Sequence, residues 1–267
     1  MKMRRTAHLT LAVASLVLLN ILPTSAASVP AYDTDGDGIP DSWEMYGYDA
    51  DGDGAIDVDY PAMGANPNHK DVFVEMDYMP GELGSDEDLD RIVQSFAALK
   101  ISNPDRKPGI NLHLDAGSDR SARYNLGGGN EVSHQGLRNM GDWARIKAHN
   151  FDPAREGIFH YMIWGDYHGN NSSSGMGYKH KAGFVVTVGK TYWGGDRSDI
   201  RVGTFMHELG HNLGLDHGGN DAENSNPNYF SVMNYDYQHT GVPMKDGTFS
   251  FGYSPTAEQR LAESATS

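Results

Sequence analysis

Four stretches of the chain carry apolar residues at strand spacing, and three others carry them at helical spacing. DVFVEMDYM (residues 71–79) alternates and clusters apolar side chains and predicts a strand. INLHLDA (110–116), GIFHYMIW (157–164) and GFVVTVG (183–189) predict three more. SDEDLDRIVQSFAAL (85–99) predicts a helix: Ser85 suits its cap, acidic residues fill its first turn, and Leu89, Ile92, Val93, Phe96, Ala97 and Leu99 form an apolar face. A short helix is expected around residues 141–147, and a longer one beginning near Ser198 or Asp199. The region after residue 116 is long and irregular, and residues 169–177, rich in Ser, Asn and Gly, read as loop. Mixed strands and helices over residues 68–255 predict one α/β (or α+β) domain.

The ends of the chain read differently. Lys2, Arg4 and Arg5 precede an apolar run over residues 9–22, then Pro23 and the small residues TSAAS. This is the pattern of a cleaved secretory signal peptide, residues 1–27, and predicts a secreted, extracellular protein. The run is shorter than the ~20 apolar residues that span a bilayer, so no membrane partner is expected after cleavage. Residues 256–267 form a C-terminal tail with the pattern of a short amphipathic helix. The sequence has no cysteine, which excludes disulfides, thiolate ligands and lipidation at cysteine. A monomer is expected.

Charge narrows the partners. The formal net charge is −15, and no Lys or Arg lies between Arg5 and Lys70. Nucleic acid requires a basic surface and is excluded as a partner. The carboxylates cluster in residues 28–67, and such a block is neutralised by bound cations. DTDGDGIPDSWE (33–44) follows the calcium loop D-x-[DN]-x-[DN]-G-x5-E. Asp33, Asp35 and Asp37 fall at positions one, three and five, Ile39 offers a carbonyl at seven, Asp41 falls at nine and Glu44 at twelve. DADGDGAIDVDY (49–60) repeats the pattern with Asp49, Asp51, Asp53, Ala55 and Asp57, but Tyr60 stands at twelve and Asp59 comes one residue early, so a weaker site is expected. Pro40 has no N–H to join two loops in a pair. The block therefore resembles the single calcium loops of thrombospondin type 3-like and dockerin-like repeats, and a stabilising role is expected.

HELGHNLGLDHGG (207–219) carries the chemistry. His207 and His211 are four apart and project from one helix face toward one metal. Glu208 is adjacent and suits a general base. Gly214 fits the left-handed end of that helix, after which the chain doubles back. His217 or Asp216 then completes the site. The string H-E-x-x-H-x-x-G-x-x-H, with its five fixed positions, arises by chance about once per million starting points.

That string, with SVMNY (231–235) after it, resembles the metzincin zinc endopeptidases. The resemblance implies His217 as the third zinc ligand. Asp216 is one residue out of register with the aspartate of snapalysin-type relatives and reads as a turn carboxylate. It further implies Met233 as an apolar floor beneath the histidines and Tyr235 as a zinc ligand or transition-state hydrogen-bond donor. The implied fold is a twisted, mostly parallel five-stranded sheet with an active-site helix and a small C-terminal subdomain. The implied activity is hydrolysis of a protein or peptide substrate lying extended near residues 175–181, with Zn²⁺ catalytic and Ca²⁺ structural. Gly218, after the third histidine, matches none of the main subfamilies. Two alternatives stand beside this reading: a calcium-binding interaction module on an inactive protease fold, and a zinc amidase acting on cell-wall peptides. Asp166, His168 and His180 are candidates for a second, structural metal.

Overall fold

The computed structural model describes residues 32–194, 197–219 and 223–254; the stretches read as a signal peptide (1–27) and as a C-terminal tail (256–267) lie outside them. The described elements are α1 (Asp41–Tyr46), α2 (Tyr60–Met63), β1 (Asp71–Tyr78), α3 (Asp86–Ala97), β2 (Asn111–Asp115), α4 (Met140–Asn150), β3 (His160–Gly165), β4 (Gly175–Gly177), β5 (Gly183–Thr187), α5 (Ser198–Asn212), α6 (Tyr235–Gln238), β6 (Val242–Pro243) and β7 (Phe249–Ser250). The protein is α/β. Its five-stranded sheet has the order β2-β1-β3-β5-β4, parallel except for β4, which runs antiparallel to β5. β6 and β7 form a separate two-stranded ribbon.

β1 and β5 are buried on both faces, which is why they read as near-continuous apolar runs. Alternation along β1 splits the core. Val74 and Met76 join Leu89, Ile92 and Phe96 of α3 and Val202, Phe205 and Leu209 of α5. Phe73 points the other way, toward Ile146, Phe159, Ile163 and the acidic segment. Ser85 caps α3: its Oγ accepts from the Asp88 N–H at 3.1 Å, and the Asp88 carboxylate accepts from the Ser85 N–H at 3.2 Å. Ala97, expected on the buried face of α3, is exposed.

Residues 169–177 are not all loop. Residues 175–177 form the edge strand β4, a hydrogen-bonded ladder with no β-branched side chain to announce it. Residues 28–67 differ from the rest in composition, but their described part shares its packing. Ile39, Val58 and Tyr60 are buried in one cluster with Phe73 and Phe159, and the Tyr60 ring lies edge-on to Phe73 at 5.4 Å. Among the described residues no helix is long and apolar enough to cross a membrane.

Candidate metal centres

α5 presents His207 and His211 one turn apart, and then ends in a glycine cap. Gly214 has φ 98°, its N–H donates to the His211 carbonyl at 3.0 Å, and the Leu215 N–H donates to the Gly210 carbonyl at 2.9 Å. Together these bonds make a Schellman cap. The cap also aims a ligand, because the Leu215 carbonyl accepts from His211 Nδ1 at 2.8 Å. The chain then makes a tight turn in which Asp216 and Gly219 exchange two backbone hydrogen bonds of 2.8 Å, with His217 at the bend. The three imidazoles form a triangle with ring centres 4.8, 4.9 and 5.2 Å apart, and their candidate ligand nitrogens lie within 4.8 Å of one another.

The protonation states suit metal binding. His207 Nδ1 lies 2.9 Å from the Val232 carbonyl, which only accepts, so this nitrogen carries the proton and Nε2 keeps its lone pair. The same logic applies to His211. Burial pushes His207 down to about 3 and holds His211 and His217 below the usual histidine range, so all three are neutral at pH 7. Three neutral imidazoles converging on one point could hold a metal ion, and such a donor set suits one that keeps an open fourth position. Asp216 is not among them; its carboxylate pairs with Lys179 at 2.7 Å.

Glu208 is 5 % exposed and faces β4. A Cβ on Gly175 would lie 2.7 Å from Glu208 Oε1, so that glycine is where the backbone must come close. The Gly177 N–H donates to the carboxylate, while burial pushes Glu208 up to about 8. Tyr235 opens α6, its ring centre 4.5 Å from that of His217 and 5.4 Å from that of His207. Burial and the charge of Glu208 raise its hydroxyl above the ordinary tyrosine value. Met233 is fully buried, its sulfur pressed against Gly210, and a Cβ there would collide with it. One helical repeat earlier, Gly203 makes room for the Gln238 carbonyl. These two glycines let the 231–238 segment lie close along α5, and the sequence pattern did not single them out.

Asn212 was also missed. Its side chain donates to the carbonyls of Tyr178 and Gly183 at 3.2 and 3.1 Å and pairs with His160 Nδ1 at 3.1 Å, tying the end of α5 to β3, β5 and the segment after β4. Asp166, His168 and His180 do not form a site. Asp166 accepts from Thr191 and pairs with His134 at 3.1 Å, His180 packs against Gly214, and among the described residues no metal-ligating group contains them.

In the acidic segment, the ligand oxygens of Asp33, Asp35 and Asp37 converge, as do those of Asp49, Asp51 and Asp53. At position nine of both loops the carboxylate is hydrogen-bonded within the loop. Asp41 turns back to accept from the Thr34 N–H and hydroxyl at 2.8 and 2.6 Å, and Asp57 accepts from the Ala50 N–H at 2.7 Å. The side chain of Ile39 is buried in the core, and the Ile39 and Ala55 N–H groups donate to Asp37 and Asp53. Glu44 is buried and converges with Asp37 and with Asp71, the first residue of β1. Burial and the surrounding carboxylates push Glu44 up to about 9, and neither of its oxygens has a hydrogen-bond partner. These orphaned oxygens fit a cation. The second loop has no counterpart: Tyr60 is buried in the core, and Asp59 caps α2 by accepting from the Ala62 N–H at 3.1 Å.

No protein-family model matches the chain, and no curated protein matches it.

Proposed function

We propose that the chain is a secreted zinc endopeptidase of the metzincin kind, stabilised by calcium in its acidic segment. The observation that carries this reading is the triangle of neutral histidines with the buried carboxylate of Glu208 beside it. His207, His211 and His217 would hold the zinc. When bound, zinc acidifies a coordinated water and polarises the substrate carbonyl.

The remaining work falls to the chain's own residues. Glu208, buried beside the three histidines, would take a proton from the attacking water and pass it to the leaving amine. Gly177 holds that carboxylate through its N–H. Tyr235 stands beside His217 and donates a hydrogen bond to the oxygen that gains charge. β4 lies at the edge of the sheet, so an extended peptide can add to its free side next to Glu208. The sequence from His207 to Tyr235 retains every residue that this chemistry uses, which favours an enzyme over an inactive binding module.

The test is metal content together with cleavage. Purified protein should carry one zinc bound by the histidines and cleave casein. Chelation should abolish the activity, and added zinc should restore it. Zinc-loaded protein that left casein and a broad peptide library intact would contradict the endopeptidase reading.

A further inference from the structure

The carboxylates of the first acidic loop do not close on themselves. Asp33, Asp35 and Asp37 form one convergent group, and Asp37, Glu44 and Asp71 form a second that shares Asp37. Asp71 lies outside the loop, at the start of β1, paired in register with Asn111 of β2. Its backbone N–H donates to Asp37 Oδ2 at 2.7 Å. Its side chain is fully buried and held from behind, by the Asn66 N–H at 2.8 Å and by His113 Nε2 at 2.6 Å.

Glu44 is the telling residue. It is 2 % exposed, and both its oxygens are buried without a hydrogen-bond partner; Asp35 Oδ2 is likewise buried and unpartnered. A buried carboxylate with no donor is costly unless a cation meets it. Lys70 brings a positive charge to this group: its Nζ approaches Gly36 and acts on the Asp35 carboxyl. One lysine does not balance Asp33, Asp35, Asp37, Glu44 and Asp71. Position nine, which an isolated loop uses to help enclose its ion, is spent on Thr34.

We propose that Asp71 completes the cation site of the first loop, so that one bound calcium clamps the acidic segment to the first strand of the sheet. The inference rests on the calcium reading of that segment. The all-oxygen, carboxylate-rich donor set selects a hard divalent cation, and calcium accepts the six to eight oxygens that such a shell offers. His113 and the Asn66 N–H orient Asp71 as outer partners orient a metal ligand. The clamp joins α1, β1 and, through His113, β2.

Calcium titration of the purified zinc-loaded protein tests this, read by calorimetry and by terbium luminescence sensitised through Trp43, the neighbour of Glu44. Asp71→Asn should weaken the tighter calcium site at least about tenfold, while Asp57→Asn in the second loop should leave that site unchanged. Equal affinity in wild type and Asp71→Asn overturns the clamp alone. A wild type that binds no calcium overturns the underlying reading as well. If Asp71→Asn fails to fold, hydrogen exchange of the wild type decides. Calcium should protect the amides of residues 70–75 together with those of 33–46, and protection confined to the loop overturns the proposal.

Discussion

The Gly177 N–H donates to the Glu208 carboxylate, and a Cβ on Gly177 would lie 2.9 Å from the Glu208 backbone carbonyl and 3.0 Å from Glu208 Oε2. The edge strand is thus in contact with the proposed general base. Gly177→Ala should press on the Glu208 carboxylate and on the α5 backbone at that residue, and zinc content measured on the same sample separates the two effects. The expected result is a fall in kcat of roughly 10- to 100-fold with KM and bound zinc little changed. An unaltered kcat would show that β4 does not position Glu208.

His217 and Asp216 are neighbours with separate tasks. His217→Ala removes a proposed ligand and should weaken zinc binding by more than about 100-fold. Asp216→Asn breaks only a partly exposed pair with Lys179, so zinc affinity should stay within about threefold. Competition with a fluorescent zinc chelator measures both, and the reverse order would assign the third ligand to Asp216.

Gly210 carries the contact between α5 and the segment after it. Gly210→Ala sets a methyl group against the Met233 sulfur and the Tyr253 ring, both held in the core. Overpacking of this kind costs about 1 to 3 kcal/mol, read as a lower urea midpoint with zinc present. A midpoint equal to that of the wild type would mean that the segment yields freely.

Much of this was legible in the sequence, for identifiable reasons. β1, β3 and β5 are apolar because both faces of the sheet are covered there, β2 alternates, and His207, Glu208, His211, Gly214 and His217 form a compact string whose spacing and glycine cap bring the histidines together. β4 was not legible, because Gly175 and Gly177 are chosen for close approach to Glu208 and not for strand propensity. Tyr60 looked like a failed calcium ligand; it is a core residue packed on Phe73. Asp71 looked like an ordinary strand start, since nothing local marks a residue whose partners come from a distant loop. The buried group of Arg155 with Glu75 and Asp115, at 2.6 and 2.7 Å, was hidden for the same reason.

That group predicts a pH dependence. Burial raises Glu75 from an ordinary value of 4.5 to about 7 despite Arg155. The folded state therefore holds this proton more tightly than the unfolded state. The stabilisation is complete below about 4.5 and is lost as pH rises toward about 7. Glu75→Gln should flatten this slope, gaining on the order of 1 to 2 kcal/mol relative to wild type between pH 5 and pH 8. Parallel stability curves for the two proteins would show that Glu75 is ionised throughout.

Glu208 is proposed as the proton carrier beside a three-histidine zinc site. The most direct measurement is casein cleavage by Glu208→Ala next to wild type, with zinc content determined on the same samples. Wild type should cleave, the variant should not, and both should carry equal zinc. Substantial cleavage by the zinc-loaded variant would contradict that role.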